Sequence, residues 1–295
     1  MVAPSFLQDH RVRRWLGEVE PAWTLLTLDS LKELQLRPSK ESRALTLAND
    51  LTPAEVARSA VARNTLILLR SAADGGGRKL TATGNLSRSV VTEMIDRFEW
   101  PDFDRVEEFR FHRVVNEPDF LPLLFVRHIA QMARLVRPYR GALRATQLGR
   151  GFVKETRQGS LQSILFQAAF WQADLNYLAR GIHGSWPQFD IGVVLWSLSI
   201  SAADWQTPAK LTRLCTIPAK DILESSWDAG SMVTEARILM PLFWYGLLEH
   251  RSQATPGTRW GEQHFYRKSP LFDRFLAFCV PVGATGCTRT LPPGM

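Results

Sequence analysis

The residues whose types and spacing suggest chemistry are arginines. From Phe120 to Lys154 the 295-residue chain has no Asp or Glu, while Arg127, Arg134, Arg137, Arg140, Arg144, Arg150 and Lys154 place seven positive charges in thirty-five residues. The whole chain carries 36 Lys+Arg against 29 Asp+Glu, a formal charge of +7. Outside that stretch the two signs balance at 29 each, so the excess belongs to one segment. Guanidinium groups are planar multi-donor cations that meet phosphate oxygens and base edges in pairs. At 100° per residue, Arg127, Gln131 and Arg134 fall within about 60° of one another on one helix face. Arg137, Arg140 and Arg144 follow on a hairpin, with Arg150 and Lys154 just beyond. This set forms the candidate surface for double-stranded DNA, gripping phosphates with an affinity that depends on salt through counterion release. The competing reading is a solvated basic face on a core helix, because Leu121, Leu123, Leu124, Phe125, Ile129, Met132 and Leu135 make that helix apolar nearly all round. His128 projects off the arginine stripe toward the apolar side and reads as a boundary residue.

Other chemistry finds little support. The six histidines are scattered, with no zinc-ligand spacing. Asp74-Gly75-Gly76-Gly77-Arg78-Lys79 is glycine-rich but lacks the length and final Gly-Lys-Ser/Thr of a phosphate loop, and reads as a connector. There is no Gly-x-Ser-x-Gly, and no cysteine has an evident histidine partner. Asp102, Asp104, Glu107 and Glu108 lie in one polar loop, where hydrated surface carboxylates compete with a cation site. The expectation is a protein that is not an enzyme, with no metal, cofactor or small-molecule substrate. Cys215, Cys279 and Cys287, odd in number and irregularly spaced, read as free thiols of a reducing cytosol. No signal-peptide core opens the chain, and the apolar runs Ile191 to Ile200 and Ile238 to Leu248 fall short of the roughly 20 residues that span a bilayer. A cytoplasmic protein without a membrane partner is expected.

The elements that must position the arginines follow from pattern and punctuation. An apolar fraction of 45% with 22% charged residues is globular composition. At about 150 residues per domain the length suggests two domains or one bilobed body. Trp23 to Leu36 has helical spacing and is stopped by Arg37-Pro38. Thr52-Pro53-Ala54-Glu55 is a helix start, predicting a helix to about Arg70. Lys79 to Thr83 reads as a short strand, Ser87 to Phe98 as a helix, and Pro118 to Val136 as a long helix. Two short strands then flank Tyr139-Arg140-Gly141. Helices followed by a hairpin are the order of a winged helix, and the stretch from Leu135 to Thr146 would be its wing.

The second half repeats the pattern faintly. Helices are predicted over Phe189 to Ala203, Pro208 to Thr216 and Ser231 to Leu248, the last interrupted at Pro241. Gly246-Leu247-Leu248 stands where Arg134-Leu135-Val136 stands earlier. Ser269-Pro270-Leu271 with Phe275 mirrors Thr146-Gln147-Leu148 with Phe152, and the second return is eleven residues longer. The expected architecture is mainly α with short β-hairpins: a helical lead-in over 1–50, a winged-helix-like module over 51–155, a helical connector over 156–187, a second such module over 188–280 and a flexible tail over 281–295. The alternative is an all-helical protein with two incidental hairpins.

Leu80-Thr81-Ala82-Thr83-Gly84-Asn85-Leu86, then a helix, an acidic-aromatic loop and Ala133-Arg134-Leu135-Val136-Arg137 running to Gly141, resembles a segment of uncharacterised bacterial proteins of the plasmid open-reading-frame type. In those, glycine usually precedes the apolar pair, where this chain has Arg134. The likeness covers about residues 79–150, a quarter of the chain, and implies no activity.

The functional expectation is a nucleic-acid-binding protein of regulator type. The rival is a non-enzymatic interaction or oligomeric scaffold. Its motivation is the aromatic second half, where Phe243, Trp244, Tyr245 and Tyr266 are candidate partner contacts or, alternatively, core. Six basic residues oppose four acids from Ser231 to Phe278, a near-neutral balance.

Overall fold

The computed structural model describes residues 4–39, 44–110, 114–225, 227–254, 261–282 and 287–289. The fold is mainly α-helical, with short antiparallel strand pairs. The chain divides into two compact units, Asn49–Ala173 and Met1–Ala48 with Asp174–Met295. The stretch expected as a lead-in therefore clusters with residues 174–295, and the stretch expected as a connector is divided at residue 173.

In the unit Asn49–Ala173, Thr52 and Glu55 form a reciprocal cap on the helix Pro53–Ala57. The single helix expected to Arg70 is instead two. Ser59 turns extended, and its hydroxyl accepts from the Ala62 N–H at 3.1 Å to start a new helix, Ala60–Ala73. The glycine turn leads to the strand Arg78–Lys79, then the helix Arg88–Arg97. The helix Leu121–Met132 precedes a hairpin of strands Val136–Tyr139 and Ala142–Ala145. Arg78–Lys79 pairs antiparallel with Ala142–Ala145, which lies between it and Val136–Tyr139. Leu68, Leu69, Val91, Met94, Leu123, Val126, Ile129 and Leu143 are buried and fill the core. Gly149 allows the following helix, Gln147–Val153, to sit close, since a Cβ there would lie 2.1 Å from the Leu135 carbonyl oxygen.

In the other unit the helix Ile191–Ser201 is buried on nearly every side. Trp23, fully buried, donates its indole N–H to the Thr216 carbonyl at 2.9 Å. The helix Pro208–Cys215 follows Gln206, whose main chain exchanges hydrogen bonds with Tyr266. The helix expected from Ser231 to break at Pro241 continues through it: a π-helical segment, Glu235–Leu239, joins Ala229–Thr234 to Met240–Trp244. Proline has no N–H for the ordinary ladder, and the wider turn ahead of it accommodates the missing bond. Within the π segment Arg237 is fully buried and donates to the carbonyls of Ile182, Gly184 and Trp186, pinning that loop. Strands Leu248–Ala254 and Glu262–Lys268 form a second hairpin, followed by the helix Pro270–Phe275. Leu276–Pro281 then pairs with Leu45–Leu47 and Cys287–Arg289. The expected flexible tail thus holds a short strand, and residues 283–286 and 290–295 lie outside the described residues.

One local device occurs in both units. Leu135 and Leu247 each donate an N–H to a carbonyl five residues back, Ala130 and Leu242, at 2.8 and 2.9 Å. Arg134 and Gly246, just before them, have φ of +58° and +72°. The Thr146 N–H donates to Leu135 and the Ser269 N–H to Leu247, both at 2.9 Å. Each hydroxyl also closes the hairpin, Thr146 onto the Arg134 carbonyl at 2.8 Å and Ser269 onto Gly246 at 2.7 Å. Phe152 and Phe275 are buried six residues later.

Candidate nucleic-acid interface

The hairpin Val136–Ala145 collects positive charge. Its two strands meet through Tyr139 opposite Ala142, leaving Arg140 and Gly141 as a two-residue turn with φ of +49° and +71°. Positive φ at both central positions is the geometry that matches strand twist in tight hairpins, and it favours asparagine or glycine first. Arginine in that place carries a backbone cost of about 1–2 kcal/mol. Arg137 stands directly across from Arg144, so like charges face each other on one side of the ladder, a destabilising pair. The guanidinium carbons of Arg137, Arg140 and Arg144 lie 5.4, 5.2 and 5.3 Å from the Tyr139 ring centre. Tyr139 itself is 41% exposed. Ring faces attract cations, and this ring offsets part of the crowding. Among the described residues, Arg134, Arg137, Arg140, Arg144, Arg150 and Lys154 have no carboxylate partner. Gly77 makes room for the stem of Arg144, since a Cβ there would come within 2.6 Å of the Arg144 Cγ.

Arg127 is not part of that surface. Its side chain is 11% exposed and pairs with the buried carboxylate of Glu117. It also donates to the Gly84 carbonyl at 2.7 Å, and the same carboxylate accepts from the Leu86 N–H at 2.6 Å. Arg127 therefore ties the turn around Gly84 to the helix Leu121–Met132. Gln131 is half-buried, and Leu121 at the start of that helix is 41% exposed, so the helix presents little polar reading surface. Arg134 is exposed in the left-handed region just after the helix, and Arg150 and Lys154 are exposed around the next one. His128 is half-buried, at the boundary the sequence suggests.

The aromatic partner residues are corrected in the same way. Tyr245 and Tyr266 are fully buried and Trp244 is 4% exposed. The chain turns at Gly246 from helix to strand, which drives the last helical turn inward. Tyr266 lies stacked against His250 at 4.8 Å and donates its hydroxyl to Glu235 at 2.8 Å. Phe243 is half-buried beside His250. Trp244, Tyr245 and Tyr266 are core and offer no partner surface, whereas Phe243 is only partly covered.

Sequence reasoning missed Tyr139 as the platform for three arginines. The signal was present as the alternation of Arg137 and Tyr139 on one strand face, with Arg144 at the facing register position. It missed Glu117, because its pairing across ten residues depends on the turn between. Among the described residues, no group of His, Cys, Asp and Glu is placed to hold a metal ion, and no helix is long and apolar enough to cross a membrane. Cys215 is buried as a free thiol, and burial pushes it well above its ordinary pKa.

No solved structure matches the chain. Over 97 residues it is 34% identical to the uncharacterised protein y4jL of Sinorhizobium fredii, an alignment covering 33% of this chain and 44% of that protein. The chain thus spans less than half the length of that relative. Residues 57–158, which contain the basic hairpin and the segment whose resemblance is read from sequence, match the family described as the Y4jL N-terminal domain.

Proposed function

We propose that residues 51–155 are a winged-helix module that binds the phosphate backbone of double-stranded DNA through the hairpin, in a binding rather than a catalytic role. The observation that carries this reading is the convergence of Arg137, Arg140 and Arg144 on Tyr139 without a carboxylate partner among the described residues. Like charges held together at a backbone cost are offset by a polyanion, and strain at an exposed site is a reason to look for function there. Apart from the single-turn helices, Arg105–Glu108 among them, the order from Ala60–Ala73 onward is helix, strand, helix, helix, strand, strand, with the first strand beside the last, which supports the winged-helix reading. The second unit supports a parallel reading for residues 188–280: Gln206 bridges Tyr266 in the last strand of its hairpin, as Lys79 pairs with Ala142. The thin polar face of the helix Leu121–Met132 favours backbone contact over base readout. Binding of a fluorescent duplex measured against salt tests the proposal, and affinity unchanged by Arg137→Glu with Arg140→Glu would overturn it.

A further inference from the structure

The unit containing residues 174–295 holds a cavity of about 520 Å³, within the roughly 300–1,000 Å³ of small-molecule sites. Arg11, Arg14 and Trp15 of the helix His10–Leu16 line it, with Arg213 from the helix Pro208–Cys215 and Trp227. Spacings of three and four residues put Arg11, Arg14 and Trp15 on one helix face. Trp15 packs against the buried cluster of Ala179, Trp186, Ile222 and Val233, which gives the cavity a fixed wall. Trp227, in contrast, is 53% exposed, an unusual position for the largest apolar side chain.

The charges around the cavity divide into engaged and available groups. Its two carboxylates are both engaged: Glu224 meets Arg11 at 3.5 Å and Lys220 at 3.9 Å, and Asp228 accepts from the Ser231 N–H at 3.2 Å as a helix cap. Arg11 is held further by Asp9 at 3.1 Å. Among the described residues, Arg14 and Arg213 make neither an ion pair nor a side-chain hydrogen bond. Two guanidinium groups are therefore available beside an open indole face.

We propose that this cavity binds a small planar aromatic anion, its phosphate or carboxylate group on Arg14 and Arg213 and its ring on Trp227. Guanidinium forks match both anions in bidentate hydrogen bonds, and indole faces stack on flat rings. The volume suits a molecule the size of a mononucleotide or smaller. Nothing in this assignment depends on DNA binding by the basic hairpin, and the two fail separately.

Titration calorimetry on the full chain tests it, with adenosine monophosphate and indole-3-acetate as probes and adenosine and indole as their neutral counterparts. The expected result is one-to-one binding of at least one anion, about tenfold or more tighter than its neutral counterpart. The anion that binds identifies phosphate or carboxylate as the group recognised. Arg14→Gln with Arg213→Gln should weaken that binding at least about tenfold without changing the melting temperature. Because Arg14 is exposed and unengaged, Arg14→Gln alone gives the same test if the double variant is unstable. Absence of binding by both anions at about 1 mM, equal binding of the neutral forms, or undiminished affinity in the arginine variants would overturn the proposal.

Discussion

Arg127 and Glu117 form a buried ion pair that closes the turn at Gly84 onto the helix Leu121–Met132. Glu117 is 1% exposed, so removing Arg127 leaves a carboxylate with no route to water. Arg127→Ala should cost about 3–5 kcal/mol in urea denaturation. Arg127→Met with Glu117→Gln should recover much of that loss, because no charge then remains buried. DNA affinity per folded molecule should stay near wild type in the double variant. A fall as large as that of a hairpin variant would return Arg127 to the interface.

Arg134 and Arg140 should show opposite signs for stability and binding. Both occupy left-handed backbone, at φ of +58° and +49°. Glycine fills the position equivalent to Arg134 in the other unit, as Gly246. Arg134→Gly and Arg140→Asn should each raise stability by about 1 kcal/mol in chemical denaturation, since glycine and asparagine adopt this region with less strain. Each should also weaken duplex binding by one phosphate contact. Destabilisation by either substitution would show that the arginine side chain holds the fold together.

Asp190 sets a pH dependence. It is 3% exposed, and burial raises its pKa above the ordinary 3.8, a shift only partly opposed by the Gln35 amide donating at 2.6 Å. A carboxyl whose pKa is raised on folding favours the folded state while protonated, and that contribution is lost as pH rises through the folded pKa. Asp190→Asn keeps an oxygen for Gln35 and removes the buried charge. The variant should melt higher than wild type at pH 7, with the advantage shrinking toward pH 4 and vanishing below the unfolded pKa. An advantage that does not change with pH would mean that the gain is not electrostatic.

Thr146 and Ser269 close equivalent hairpins, and each also accepts a helix-capping N–H, from Gly149 at 3.0 Å and Leu271 at 3.1 Å. Thr146→Ala and Ser269→Ala should each cost about 1–2 kcal/mol in thermal or urea unfolding. A large cost at one site with none at the other would break the equivalence of the two devices.

The repeat behind that equivalence was legible in the sequence because it rests on local rules. Leu135 with Leu247, Thr146 with Ser269, and Phe152 with Phe275 mark a helix exit, a cap and an anchor, each recognisable from a few neighbours. The mainly helical fold with short hairpins was legible for the same reason, although Ser59 splits one helix and a π-helical segment carries another past Pro241. The site was legible as a charged segment, and less so as individual contacts. Arginine type and helical phase could not show that Arg127 meets Glu117, since that pairing depends on how the loop before the helix returns. Aromatic type could not show that Trp244, Tyr245 and Tyr266 point inward, since core and interface use the same side chains.

The most direct test of the central claim is the salt dependence of duplex binding by wild type and by Arg137→Glu with Arg140→Glu. Contacts from Arg134, Arg137, Arg140 and Arg144 to four phosphates predict a slope of about −3 to −4 in log affinity against log salt. The charge-reversed hairpin should lose most of that slope together with most of its affinity, while its melting temperature stays at or above that of wild type. A flat response in wild type, or a slope that survives the reversal, would contradict phosphate binding by this hairpin.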